Sequence, residues 1–406
     1  MRPISRAAAV IQILDNYLAG KPVEIALKGW FRSNRFAGSN DRYLIRDMVF
    51  EILRKKSSLG FPFQIKGYLE NGRILTLSYL ADHYELVQLG IEIKQNSYFY
   101  EKLSPNEIAI LSNKKKLMEA SSKPITFDYP SFLSEALVKS LGNSFESIMG
   151  KMQERAALYL RINMLKANSF YAEKILATEG IFCTKLSNCD TALVVSQGRK
   201  LVKSSKAYTS GIVEIQDLSS QLMTDLPQIT SGVRILDYCA GGGGKTLAIA
   251  SKTINKAELL AYDINPNRLS NLKKRAIRAG AKVKILKTLD LEEYKVSCDV
   301  VFVDAPCSGS GIWRRDPEVK WSLTEKKLKR FQLDQAGILK EASRFVKIGG
   351  VMVYVVCSLL PEEGETQIKE FLEIYRNFVG FEQSLLHPLV ASDGFFRAVL
   401  KKVSSC

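Results

Sequence analysis

The chain is expected to be multidomain, with an all-α bundle first, a small α+β module next and a C-terminal α/β Rossmann-like sheet last. Three observations predict this. At 406 residues the chain exceeds one ordinary compact core. Its first third carries apolar stripes at helical spacing. Beyond residue 230, short apolar strands alternate with helical stretches, the pattern of a doubly wound parallel sheet.

Over residues 5–20, Ala7, Val10, Ile11, Leu14, Tyr17 and Leu18 share one helical face, with Ser5 as candidate N-cap and Gly20 as candidate stop. A second stripe, Leu44, Ile45, Met48, Val49, Ile52 and Leu53, follows the turn sequence GSND, and together the two assign residues 1–125 to the bundle. Residues 126–225 offer a strand at LYLRIN (158–163), a helix at SFYAEKILATEG and a strand at ALVVS (192–196), hence a small α+β module. Residues 226–406 run strand RILDY, loop CAGGGG, helix KTLAIASK, then strand LLAYD, helix NPNRLSNLKKRAIRAG, strands VKILKTL and DVVFVD, a long helix from EKKLKRF, and strand VMVYVV. Ligands of such a sheet bind at the carboxyl ends of its strands. The chemically unusual residues of this chain fall there.

The formal net charge of +16 describes a surface that attracts polyanions, and a phosphate backbone is the favoured partner. Seven cysteines without a CxxC pair suit reduced thiols better than a disulfide framework. His83 and His387 are the only histidines, which disfavours histidine-based zinc sites and Ser-His-Asp hydrolysis, so no metal is expected. Gln12 and Asp15 break the N-terminal apolar run before a signal-peptide core forms, and no stretch approaches a membrane span. The expected location is the cytoplasm, with no membrane association, no obligate protein partner and a monomer by default.

In DYCAGGGGK, Asp237 to Lys245, glycines stand where a strand turns into a helix, so backbone amides can approach a ligand. The next strand ends in Asp263, suited to a ribose diol. A nucleoside-triphosphate loop would need a glycine five positions before Gly244, where Cys239 stands. NAD would fit the glycines and Asp263, but Asp290 and Asp304 end later strands. Three such carboxylates suggest an adenosyl ligand without a pyrophosphate, S-adenosylmethionine.

Two cysteines also close strands, Cys307 in DAPCSGSG and Cys357 in YVVCSLLPEEGE, whereas Cys183, Cys189, Cys239 and Cys298 read as small core residues. A methyl transfer that needs a thiolate is one to C5 of a pyrimidine, which becomes nucleophilic only after addition at C6. An acid near N3, such as Asp304, would stabilise the charge developing on the ring. A second group must then help release the product. Either cysteine could be the nucleophile on this reading, and a Pro-Cys rule would favour Cys307.

DAPCSGSGIWRRDPEVKW and YVVCSLLPEEGE, with IQDLSSQLM, LYLRIN, GSNDRYLIRDMVFEIL and DGFFRAVLKK, resemble the Sun/RsmB family of RNA cytosine-C5 methyltransferases over nearly the whole chain. The resemblance implies a NusB-like RNA-binding bundle at 1–125, an RNA-orienting module at 126–225 and a methyltransferase domain at 226–406. It makes Cys357 the nucleophile and Cys307 the residue that assists release of the methylated RNA. It implies cofactor contacts from Cys239, Ala240, Gly241, Gly242, Gly243, Gly244 and Lys245, from Asp263 and Asp290, and from Asp304 on the cofactor and cytosine side. The Gly/Ser loop after Cys307 is then expected to leave room for a flipped base. Two positions depart from the family pattern: GGGGK replaces Ala-Pro-Gly-Gly-Lys, and Val356 replaces the threonine before the second cysteine.

The implied substrate is rRNA of the small subunit. A tRNA substrate, a noncatalytic RNA-binding assembly factor and an NAD-dependent oxidoreductase are the alternatives. Residues 265–287, from Arg268 to Lys287, carry basic side chains and no acid, which fits a solvated helix face as well as an RNA track. Arg314 and Arg315 beside Trp313 join guanidinium charge to a stacking surface and are the stronger RNA-contact candidates, whereas Trp321 reads equally as core.

Overall fold

A computed structural model describes residues 1–99 and 101–405. The chain divides into two compact units: Met1–Val138 with Gly142–Arg155 and Trp313–Leu323, and Lys139–Leu141 with Ala156–Ile312 and Thr324–Cys406. The three-part expectation therefore maps onto two units, with the small module sharing a unit with the large sheet.

The first unit is helical. Its main helices are α1 (Pro3–Leu18), α2 (Val23–Ser33), α3 (Ser39–Arg54), α4 (Lys56–Gln64) and α5 (Gly72–Leu80). Val10, Ile13 and Leu14 of α1 meet Leu27 of α2, Ile45, Val49, Ile52 and Leu53 of α3, and Leu75 of α5 in one buried cluster. The stripes foretold both long helices, because residues three and four apart share a helix face. Helix α1 starts earlier than Ser5: Pro3 occupies the first turn, where its missing N–H costs nothing, and Ser5 is buried, accepting from Asn96 Nδ2 at 2.9 Å. Gly20, at φ +95°, does end the helix region.

The segment Trp313–Leu323 belongs to this helical unit although it follows the DAPCSGSG strand end directly in sequence. It closes the carboxyl end of α3. Trp321 Nε1 donates to the Leu53 carbonyl at 2.6 Å and Lys320 Nζ to the Arg54 carbonyl at 2.8 Å, while Arg54 Nε donates to the Arg314 carbonyl at 2.7 Å. These side chains satisfy carbonyls that a helix end leaves unpaired. Burial pushes the Lys320 ammonium down to about 7, opposed by the Asp128 carboxylate.

The second unit holds two sheets. Strands β1 (Tyr159–Ile162), β2 (Phe182–Leu186), β3 (Cys189–Gln197) and β4 (Val213–Ile215) form an antiparallel sheet in the order β2-β3-β1-β4. Strands β5 (Arg234–Asp237), β6 (Glu258–Ala261), β7 (Lys284–Ile285), β8 (Cys298–Asp304), β9 (Val346–Val356), β10 (Phe378–Leu386) and β11 (Phe395–Lys402) form the large sheet in the order β10-β11-β9-β8-β5-β6-β7. Strands β5 to β9 pair in parallel, as the alternation predicts, but β11 pairs antiparallel with both β9 and β10. The sheet is thus mixed rather than wholly parallel. Strand β5 lies between β6 and β8, so the strand order reverses there and opens a crevice at the carboxyl ends.

Candidate active site

Strand β5 runs into the glycine loop, and the helix Gly244–Lys252 begins there. Gly241 and Gly243 adopt φ +53° and +82°, conformations open to glycine at little cost. A Cβ on Gly243 would stand 2.2 Å from Leu272 Cδ1, so close packing against helix Pro266–Ala279 also requires glycine. Thr246 Oγ1 donates to Asp237 Oδ2 at 2.6 Å, tying the new helix to the strand it left. Burial pushes the Asp237 carboxyl up to about 7, against the pull of that hydrogen bond.

Asp263 follows β6 and is buried at its mouth. Its Oδ2 accepts from the Gly241 amide at 2.9 Å and its Oδ1 from the Asn265 amide at 2.8 Å, so the acid fixes the glycine loop and the next turn together. Around it opens a cavity of about 770 Å³ lined by Tyr262, Asp263, Ile264, Pro266, Leu269, Lys287, Thr288 and Leu289, among others. Ile264 and Leu289 are each 87% exposed, large apolar surfaces facing water at the rim of a cleft. Sequence reading passed over both. The usable signal was an apolar residue directly beside a strand-end acid, Ile264 after Asp263 and Leu289 before Asp290. Asp290 itself accepts from the Lys287 amide at 2.8 Å at the start of a short 3-10 helix, and it is not among the residues that line this cavity.

Across the crevice, Lys245 Nζ donates to Asp304 Oδ2 at 2.6 Å, linking the helix after β5 to the end of β8. The ammonium also sits 5.2 Å from the centre of the Phe395 ring. Burial pulls the Lys245 pKa down, but the Asp304 carboxylate outweighs it, with a further push from Cys357, and the net direction is up. Lys245 therefore carries a proton in the midst of the reacting groups.

The two strand-end cysteines meet. Cys307 Sγ and Cys357 Sγ lie 3.3 Å apart, each partly buried. The Cys307 thiol is pushed well above its usual range by its hydrogen bond with Cys357 and by burial, and the Glu363 carboxylate adds to this.

The loop after Cys307 departs from expectation. Ser308, Ser310 and Gly311 are buried, so the segment is a packed clamp and leaves no room of its own for a base. Glu363, wholly buried, holds it: Oε1 accepts from the Ser308 amide at 2.8 Å, and Oε2 accepts from the Ser308 hydroxyl and from Ser358 Oγ at 2.6 Å. Gln335 Nε2 donates both to Glu363 Oε1 at 3.1 Å and to the Pro306 carbonyl at 2.9 Å. One carboxylate thus joins the turn after each cysteine. The Gly311 amide donates to the Cys357 carbonyl at 3.0 Å, closing the same joint through the backbone.

Other predicted residues are placed differently. Trp313 is fully buried and offers no stacking face, which corrects its expected role beside the arginines. Arg314 and Arg315 belong to the helical unit, where Arg314 Nη2 donates to the Arg155 carbonyl at 3.3 Å. Within the basic stretch 265–287, Arg275 and Arg278 both pair with the buried Glu214, at 3.0 and 2.6 Å, so these two are internal ties. Arg268 is exposed, 4.0 Å from Asp263 Oδ2. Among the described residues no group of three or more His, Cys, Asp or Glu side chains is arranged to hold a metal ion, and no helix is long and apolar enough to cross a membrane.

A Rossmann-like sheet with its glycine loop, acid-bordered cleft and paired cysteines at the strand ends defines the methyltransferase class. Residues 226–398 match the family described as 16S rRNA methyltransferase RsmB/F, and residues 129–201 match the ferredoxin-like domain of RsmF/B-like methyltransferases. Small-subunit ribosomal RNA methyltransferase B of Yersinia pseudotuberculosis is 31% identical over 68% of this chain and 66% of its own length, and that of Proteus mirabilis is 29% identical over 68% and 66%. The chain spans about two thirds of the length of these relatives. The crystal structure of PH0851 shares the fold with a TM-score of 0.76 at 23% identity over 99% of both chains. NSun6 from Pyrococcus horikoshii, solved with SFG, reaches 0.60 at 21% identity over 68% of this chain and 99% of that one. The chain belongs to the RsmB/F methyltransferase family.

Proposed function

We propose that this protein methylates C5 of a cytosine in small-subunit rRNA, with S-adenosylmethionine as methyl donor and Cys357 as nucleophile. The observation that carries the reading is the meeting of two sulfurs, 3.3 Å apart, at the ends of the neighbouring strands β8 and β9. A transfer to oxygen or nitrogen has no use for that pair. The names of the relatives support the RNA.

The residues present fit the cofactor. Asp263 keeps acceptor capacity for a ribose diol after binding two amides. Ile264 and Leu289 offer apolar faces to an adenine, and Cys239 to Lys245 form the loop beside them. Asp290 follows Leu289 but is turned to the Lys287 amide and lies off the cavity lining, so its proposed contact with the adenine amino group needs that carboxylate to turn. The neighbour solved with SFG, an analogue of this donor, supports the reading. When bound, the cofactor supplies an electrophilic methyl group.

On the protein side, the Cys357 sulfur bonds to C6 and the ring electrons move to C5, which takes the methyl. Asp304 faces the polar edge of the base, and the proton that N3 takes up as charge develops comes from the Lys245 ammonium through Asp304 and returns by the same route when the adduct collapses. Water takes the C5 proton, the C6–S bond breaks with its electrons going to the Cys357 sulfur, and Cys307, held as a thiol 3.3 Å away, assists this release by giving that sulfur a proton or hydrogen bond and regaining its own from water. The base reaches the site only when flipped or unpaired. In the sheet unit the exposed Arg268 is a proposed RNA contact, and in the helical unit Arg314 and Arg315 are others.

Unmodified 16S rRNA and total tRNA, each incubated with the protein and methyl-labelled donor, test this. C5-methylcytidine is expected in the rRNA digest. Label confined to tRNA would move the substrate, and no label in either would sink the reading. Gly243→Ala is expected to weaken donor binding at least about tenfold, roughly 1.4 kcal/mol. It forces a side chain into the left-handed region and against Leu272. Titration calorimetry measures it; unchanged affinity would separate the loop from the cofactor.

A further inference from the structure

We propose that the helical unit carries its own single-stranded RNA site at the carboxyl end of α2 and the turn that follows, seating a backbone phosphate among Lys28, Arg32, Arg35 and Arg42 with a base against Phe36. The inference rests on the RNA reading above but adds a site that none of that chemistry requires. A cavity of about 460 Å³ is lined by Lys28, Phe31, Arg32, Arg35 and Arg42, four cations around one ring and no acid.

Two carboxylates close to these residues in sequence are already paired. Glu24 binds Arg46 at 2.5 Å, and Asp41 holds the N-terminal ammonium at 3.0 Å and Arg6 at 3.2 Å. The field at the cavity is therefore left positive. Lys28 and Arg32 stand one helical turn apart, a like-charge spacing that is unfavourable in a helix. An anion between them removes that cost. Arg42 is already aimed: its Nε donates to the Ala37 carbonyl at 2.8 Å and its guanidinium lies 5.5 Å from the centre of the Phe31 ring. A fork held in this way loses little freedom when it binds phosphate.

The aromatic rings decide the kind of polyanion. Phe36 is 65% exposed at the tip of the turn, with Trp30 edge-on at 6.3 Å supporting it, and Trp30 is fixed by its own bond to Gln12 Oε1 at 2.9 Å. An exposed ring on a rigid base beside guanidinium groups is a stacking platform for a nucleobase, with the charges placed to follow its phosphate. An acidic peptide would use the charges and leave the ring bare.

The test uses the full chain and a short fluorescein-labelled single-stranded RNA, read by polarisation across a salt series. Arg32→Gln with Arg35→Gln is expected to weaken binding and to flatten the slope of log K against log salt by about 1.4, the share of two phosphate contacts on a single strand. Phe36→Ala is expected to weaken binding about 5- to 150-fold with the slope unchanged. All three side chains are exposed, and unchanged melting temperatures would show that the fold is intact. Wild-type affinity and slope in both variants would overturn the site, as would polyglutamate displacing the RNA at equal charge. Methyl incorporation by the wild-type chain is measured in parallel: its failure counts against the enzymatic reading, whereas its success with unaltered variant binding counts against this site alone.

Discussion

Cys307→Ala is expected to accumulate a covalent RNA–protein adduct that survives denaturing electrophoresis, whereas Cys357→Ala forms none. The two sulfurs are near enough to exchange a proton, 3.3 Å apart, yet they are not equivalent. Cys307 is pressed toward its neutral form by its partner, by burial and by the Glu363 carboxylate, which suits a group that gives a proton or hydrogen bond to the Cys357 sulfur as that sulfur departs. Cys357 stands at the end of β9, and Lys245 lies within electrostatic reach of it. Turnover of Cys307→Ala should fall about 10²- to 10⁴-fold, the usual range for loss of an acid–base group, while adduct formation persists. Adduct from Cys357→Ala and none from Cys307→Ala would exchange the two roles.

Glu363→Ala is expected to unfasten both cysteine turns at once. The substitution strips acceptors from the Ser308 amide and hydroxyl, the Ser358 hydroxyl and the Gln335 amide, all in a wholly buried place. Each buried donor left unmatched costs about 1–3 kcal/mol, so destabilisation of at least about 3 kcal/mol is expected after relaxation. Glu363→Gln keeps the shape and part of the bonding. It should melt closer to the wild type yet still lose turnover, since the distance between the sulfurs depends on the same carboxylate. Urea denaturation of both variants, with the adduct assay on Glu363→Gln, checks this. Full turnover in Glu363→Gln would show that the clamp serves stability alone.

What the sequence disclosed and what it hid have physical reasons. Strands β5, β6, β8 and β9 were legible because a strand buried on both faces is a continuous apolar run, and the acids and cysteines closing those runs announced the crevice. Strand β10, FVGFEQSLL, escaped because most of its residues are exposed or half-buried and no run forms. Trp313 beside two arginines looked like an RNA platform; it is fully buried, and its segment joins the unit built from residues far earlier in the chain, which no local pattern records. The serines after each cysteine read as an open loop for the same reason. Their partner, Glu363, is 55 residues from Ser308, and only the folded sheet brings it to them. Ile264 and Leu289 were passed over because an isolated exposed apolar residue has no period to betray it.

The short stretch Trp313–Leu323 has a consequence for how this protein can be dissected or inherited. Because it completes the end of α3 while standing in sequence between β8 and the helix Glu325–Ser343, the helical unit has no single boundary at which scissors, or a gene fusion, could detach it. Removing residues 1–125 would leave Trp321 Nε1 and Lys320 Nζ without the Leu53 and Arg54 carbonyls that they bind. A catalytic fragment that is to stand alone would have to lose Trp313–Leu323 as well and rejoin the ends by a new loop, so the two units would have to be exchanged together or be redesigned together.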